Sequence, residues 1–213
     1  MSDEGKKIGL FELSDGEPTP FTVNPEERLL EATESAKILG ISVREVLDLP
    51  NRKIFDSFEA RITVAQRLRY YKPKIVLSHY GLTPHDSPDH YQAQLITEGA
   101  VFYSRLSKWE EYFENLAPHR IYNIFYFVTL RENPDPLQTV MNKFTVDITE
   151  HFDKKIQAIR SYKTQFKTDP KATNVTDWLD LMGRYYGKQI GKKYGELFLS
   201  PKGIEVPGFD LWL

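Results

Sequence analysis

The residues Lys74-Ile75-Val76-Leu77-Ser78-His79, followed by Pro84-His85-Asp86-Ser87-Pro88-Asp89-His90, decide the reading of this chain. The first run is apolar and β-branched, as a buried strand should be. The second is crowded with groups that bind metals and move protons, and it opens a helical pattern running from Tyr91 to Leu106. A loop of that chemistry at the carboxyl end of a strand is where open α/β sheets place their sites.

The pattern continues outward from this point. Residues 7–13 read as a strand, ended by the turn Ser14-Asp15-Gly16-Glu17-Pro18. A helix is expected from Pro25, with Asn24 as N-cap, Leu29, Ala32, Ala36 and Leu39 at helical spacing, and Gly40 as the stop. A short strand over 43–49 and a helix from Asp56 to Tyr71 come next. Strand and helix alternate three times, which predicts a parallel sheet covered on both faces. The second half differs. His119 to Leu130 reads as a long aromatic strand, and 145–148 as a short one. A helix capped by Thr149 is expected to reach Phe166, a last helix to span about Val175 to Ile190, and a closing extended segment to begin at Tyr194. The expectation is one domain over 1–213, with a parallel α/β part over 1–110 and an α+β part over 111–213.

Composition narrows the function. The chain has 213 residues, 40% hydrophobic and 27% charged, with a formal net charge of -2. That balance gives no electrostatic reason to expect nucleic acid as a partner. No apolar run approaches the ~20 residues that span a bilayer. There is no cysteine, so disulfides, thiolate nucleophiles and cysteine zinc ligands are excluded. The polar N-terminus lacks a secretory signal pattern, which makes a cytoplasmic location the expectation. Asn174-Val175-Thr176 then reads as a chance sequon.

Several segments, in a shared order, resemble the PIG-L/LmbE-like superfamily, which contains zinc-dependent N-acetylglucosaminyl deacetylases. Gly9 to Glu17 is similar to the family's second strand and Asp-Gly-Glu turn, and Arg28-Leu29-Leu30-Glu31 to its Arg-x-x-Glu helix. Leu47-Asp48-Leu49-Pro50-Asn51 resembles its Leu-Gly-Leu-Pro-Asp segment. Ser87-Pro88-Asp89-His90 stands where the family writes His-Pro-Asp-His. Val146 to Thr149, Tyr162 to Gln165 and Tyr194-Gly195-Glu196 resemble its later segments. The family's His-Pro-Asp-Asp motif, which follows its first strand, does not occur here. Ser2-Asp3-Glu4-Gly5 reads as a last helical turn with Gly5 at the stop. The implied fold is therefore a Rossmann-like three-layer αβα domain with a mainly parallel sheet, lacking its first strand and helix.

The resemblance implies a zinc-dependent hydrolase that removes the acetyl group from an N-acetylglucosamine-type glycoside. Zinc, or another divalent metal, would lower the pKa of water to ~7 and polarise the carbonyl. His90 is implied as a metal ligand, and a replacement site from His85, Asp86 and His90 is the in-chain alternative. Asp89, Ser87 and His85 are the implied catalytic group. Ser87 replaces the family's cationic histidine with a neutral donor, and His85 could substitute for it. Arg28, Asp15 and Glu17 are the implied substrate-binding residues, with a small-molecule glycoside as partner and a homo-oligomer as the assembly. Each has a blander reading: a solvated charge for Arg28, turn chemistry for Asp15 and Glu17, a helix-start polar group for His90, and a plain core or surface tyrosine for Tyr162. The competing function is a sugar-binding or assembly protein that keeps the fold without the metal.

Overall fold

A computed structural model describes residues 1–18, 21, 24–82, 86–129, 139–166 and 174–206. Backbone contacts group the chain into two compact units. The first holds Met1–Ile54 and Asp147–Glu196, the second Phe55–Val146 and Leu197–Leu213.

In the first unit, β1 (Gly9–Glu12) pairs in parallel with β2 (Val43–Val46), register Gly9↔Val43 through Glu12↔Val46. An ion pair between Arg44 and Glu12 ties the two strands. Between them runs α1 (Pro25–Leu39), bounded as the sequence predicts. Asn24 Oδ1 accepts the Glu26 N–H at 3.0 Å. Gly40, at φ +69°, returns its N–H to the carbonyls of Ala36 and Lys37. The buried face of α1 carries Ala32, Ser35 and Ala36, while Leu29 is exposed.

Two expectations for α4 (Phe152–Arg160) do not hold. Thr149 does not cap it. Its hydroxyl lies within hydrogen-bond reach of the Tyr194 backbone, and a 3-10 turn over Thr149–His151 precedes the helix. Nor does the helix reach Phe166. After Arg160 the chain turns so that the Thr164 backbone N–H and hydroxyl donate to the Glu31 carboxylate at 2.9 and 2.5 Å. That tertiary partner outweighs continued helix. The last helix, α5 (Val175–Gln189), starts with a capping box between Asn174 and Asp177. The expected turn at the start also forms: Ser2–Glu4 is a 3-10 turn ended by Gly5 at φ +72°.

The second unit contains α2 (Phe58–Tyr71), β3 (Ile75–His79), α3 (Pro88–Ser104), β4 (Asn123–Phe127), most of β5 (Asn142–Asp147) and most of β6 (Gly195–Ser200). Its four-stranded sheet has the order β3-β4-β6-β5. β3 and β4 are parallel, in register from Ile75↔Asn123 to His79↔Phe127, and β4 and β6 are antiparallel. The predicted aromatic strand is shorter than 119–130, because its first residues have other partners. The His119 N–H bonds the Ser104 carbonyl and its Nε2 lies 2.8 Å from the Pro73 carbonyl. Tyr80, Tyr126 and Leu199 form a buried cluster beside the sheet. α2 and α3 pack together, and Arg69 is buried there at 1% exposure. Its guanidinium donates to the carbonyls of Leu116, Leu106 and Tyr103 at 2.8, 2.5 and 3.4 Å and lies 3.5 Å over the Phe113 ring.

The chain is thus mixed α/β with parallel pairing at both β1–β2 and β3–β4, as its sequence predicts. No helix among the described residues is long and apolar enough to cross a membrane.

Candidate metal centre

β3 ends at His79, and α3 begins at Pro88 with Ser87 as N-cap. The backbone between returns closely on itself: a Cβ added at Gly81 would lie 2.2 Å from Tyr91 Cα. Only glycine allows that approach. It brings the rings of His79 and His90 into a stack with centroids 3.9 Å apart. Asp86 joins them, and donor atoms of His79, Asp86 and His90 all lie within 4.8 Å of one another.

The three could hold a cation, and the surroundings of each fit that chemistry. His79 Nδ1 lies 3.3 Å from the Tyr80 carbonyl, which can only accept, so Nδ1 carries the hydrogen and Nε2 keeps its lone pair. The Thr129 hydroxyl sits 3.0 Å from that Nε2. Burial, helped by the neighbouring His90, pushes the His79 pKa down to about 4. The ring is therefore neutral at pH 7, as a ligand must be. The Asp86 side chain is only 4% exposed, and its Oδ2 lies 3.2 Å from His90 Nδ1. The contact does not meet hydrogen-bond geometry, and that buried nitrogen has no hydrogen-bond partner. A buried polar atom without a partner is costly. The 3.2 Å separation is close to the ~3.3 Å edge of a tetrahedron built on metal–ligand bonds of about 2.0–2.1 Å. Two imidazoles and a carboxylate suit zinc and similar divalent ions.

The other expected residues fall in two places. Ser87 Oγ accepts the Asp89 N–H at 3.3 Å, and Asp89 follows in the first turn of α3. His85 lies outside the described residues. Arg28, Asp15 and Glu17 belong to the first unit. There Asp15 Oδ1 accepts the Glu17 N–H at 3.0 Å, and both residues line an open recess of about 320 Å³ with Val46 to Asn51. The Arg28 guanidinium lies against Gly16 and 4.3 Å over the Tyr162 ring. Its Nε and Nη1 are buried and make no hydrogen bond.

His79 was not among the residues singled out in the sequence. One signal could have found it: a histidine at the last position of an apolar parallel strand stands at the sheet edge where ligands bind.

No protein-family model matches the chain. The diacetylchitobiose deacetylase of Thermococcus kodakarensis is 28% identical over 221 residues, spanning 99% of this chain and 76% of that protein. The crystal structure of a conserved Thermus thermophilus protein superposes with a TM-score of 0.80 at 29% identity, over 97% of this chain and 87% of that one. The N,N'-diacetylchitobiose deacetylase of Pyrococcus horikoshii, solved with an inhibitor, gives a TM-score of 0.77 at 25% identity, over 99% and 79%. This chain aligns over nearly its whole length with a deacetylase and shares the fold of these structures, which supports a place in the PIG-L/LmbE-like deacetylase superfamily.

Proposed function

We propose that this chain is a metal-dependent hydrolase that removes the acetyl group from an N-acetylglucosamine-type glycoside, with zinc held by His79, Asp86 and His90. The observation that carries the reading is the buried Nδ1 of His90, which makes no hydrogen bond and lies 3.2 Å from the Asp86 carboxylate beside a neutral imidazole. It is supported by the identity to a diacetylchitobiose deacetylase over 99% of the chain.

A zinc ion at these donors would supply Lewis acidity and a nucleophile at neutral pH. The chain's own residues do the rest. His79 presents the Nε2 lone pair because the Tyr80 carbonyl fixes its tautomer. Ser87 accepts from the Asp89 N–H and keeps its own hydroxyl proton, which we assign to the developing oxyanion. Asp89 is assigned to proton handling, and His85 to the cationic role that Ser87 cannot fill. Arg28 holds two unsatisfied donors for a sugar oxygen, and Asp15 and Glu17 supply acceptors for sugar hydroxyls. The net reaction breaks the acetamide C–N bond, adds water, and yields acetate and a free amine.

The test is acetate release from N,N'-diacetylchitobiose by zinc-loaded protein, its loss on chelation and its return with zinc. Sugar binding without acetate release, with or without zinc, would favour the non-catalytic reading. Serine at position 87, where the family writes histidine, is the feature that speaks for it.

A further inference from the structure

On α3, His90, Gln94 and Glu98 recur every fourth residue and so lie along one face of the helix. His90 belongs to the proposed metal centre; the two below it form a hydrogen-bonded chain of buried Gln94 and half-buried Glu98. Gln94 Nε2 donates to Glu98 Oε1 at 2.9 Å, and Gln94 Oε1 accepts the Gly81 N–H at 2.9 Å. Glu98 Oε1 also accepts from the Tyr126 hydroxyl at 2.8 Å. Burial and that bond raise the Tyr126 pKa and keep its hydroxyl a donor. Gln94 is 5% exposed and Tyr126 2%.

These anchors are not scattered over the unit. Tyr126 is the ladder partner of Ser78, the residue before His79. Gly81 is the second residue after His79. The Gly81 bond therefore ties α3 directly to backbone after His79, and the Tyr126 bond ties it to the strand residue paired with Ser78. The covalent path cannot do this. Ten residues separate His79 from His90, and at roughly 3.5 Å per residue they could span far more than the observed stack.

We infer that Gln94 and Glu98, anchored by Tyr126 and Gly81, form a positioning clamp that sets the separation of His79 and His90 and thereby the affinity of the site for a divalent cation. The inference rests on the metal-centre reading above. The pair can be exchanged: a carboxylate at 94 would accept the Gly81 N–H and one hydrogen of an amide at 98, whose second hydrogen would go to the Tyr126 oxygen, so the three contacts persist with the 94–98 and 98–126 bonds reversed.

The experiment titrates metal-free protein with Co²⁺, whose visible absorption reports coordination, and records ring-proton NOEs between His79 and His90 without metal. Gln94→Leu is expected to weaken Co²⁺ binding about tenfold, shift its absorption band and abolish the NOEs. The double variant Gln94→Glu with Glu98→Gln is expected to restore all three. Thr164→Val removes a hydrogen bond to Glu31 in the first unit; it should lower stability and leave Co²⁺ binding and the NOEs unchanged. Should Gln94→Leu fail to fold, Tyr126→Phe is expected to weaken Co²⁺ binding about tenfold, at the lower end of the effects of outer-shell changes. Co²⁺ uptake by the parent together with unaltered affinity, band and NOEs in Gln94→Leu, or in Tyr126→Phe if the former is unfolded, overturns the clamp alone. A parent chain that takes up no Co²⁺ overturns the metal reading, and the affinity half of this inference falls with it.

Discussion

The imidazole of His79 lies on that of His90, ring centroids 3.9 Å apart and planes 25° from parallel. Two imidazoles so close resist double protonation, because like charges at that distance repel. A cation with lone pairs turned toward it relieves the same geometry. The stack thus links the end of a strand to the start of a helix and links stability to proton binding and, on the proposed reading, to metal binding.

The first prediction concerns pH. His79 titrates at about 4 in the folded chain and near 6.5 when unfolded. As pH falls, the unfolded chain takes the proton first. The contribution of this group is therefore complete above pH 6.5 and lost as pH falls from 6.5 to about 4, amounting to about 3 kcal/mol. Urea titrations of metal-free protein across that window should show the decline, and His79→Gln should flatten it. An equal slope in both proteins would refute the assignment.

Gly81→Ala should destabilise the second unit by at least about 2 kcal/mol, since the new methyl would meet Tyr91 Cα at 2.2 Å and backbone must move. Thermal melting measures it. The same substitution at Gly203, where nothing lies within 4 Å, should change little.

Arg69→Leu should cost about 3 kcal/mol, because the carbonyls of Leu106 and Leu116 would lose their buried donor. Urea unfolding measures it. A cost below 1 kcal/mol would mean that water readily replaces the guanidinium.

Much of this fold was legible in the sequence, for reasons that are local. Asn24, Pro25 and Gly40 mark α1 because capping chemistry acts within a few residues of the helix end. The α4 boundaries were not legible, since Thr149 and Thr164 are claimed by Tyr194 and Glu31, partners 45 and 133 residues away. The site divided in the same way. His90 and its loop could be named from motif chemistry. His79 offered only its place at the end of an apolar strand, because its contact with His90 depends on Gly81 letting two backbones meet, which the strand pattern does not encode.

Arg28→Ala should raise KM for an N-acetylglucosamine glycoside about tenfold or more with little change in melting temperature, since Nε and Nη1 have no partner to lose. Steady-state kinetics on zinc-loaded protein decide it. An unchanged KM would return Arg28 to the role of a cation resting on Tyr162.

The most direct measurement is the zinc content of the stripped chain after incubation with Zn²⁺ and removal of excess, compared with His79→Ala and His90→Ala. The account predicts about one zinc per chain in the parent, since three protein ligands and an open position suffice, and at least tenfold weaker binding in each variant. A parent that retains no zinc, or a His79→Ala protein that retains it undiminished, would contradict the centre described here.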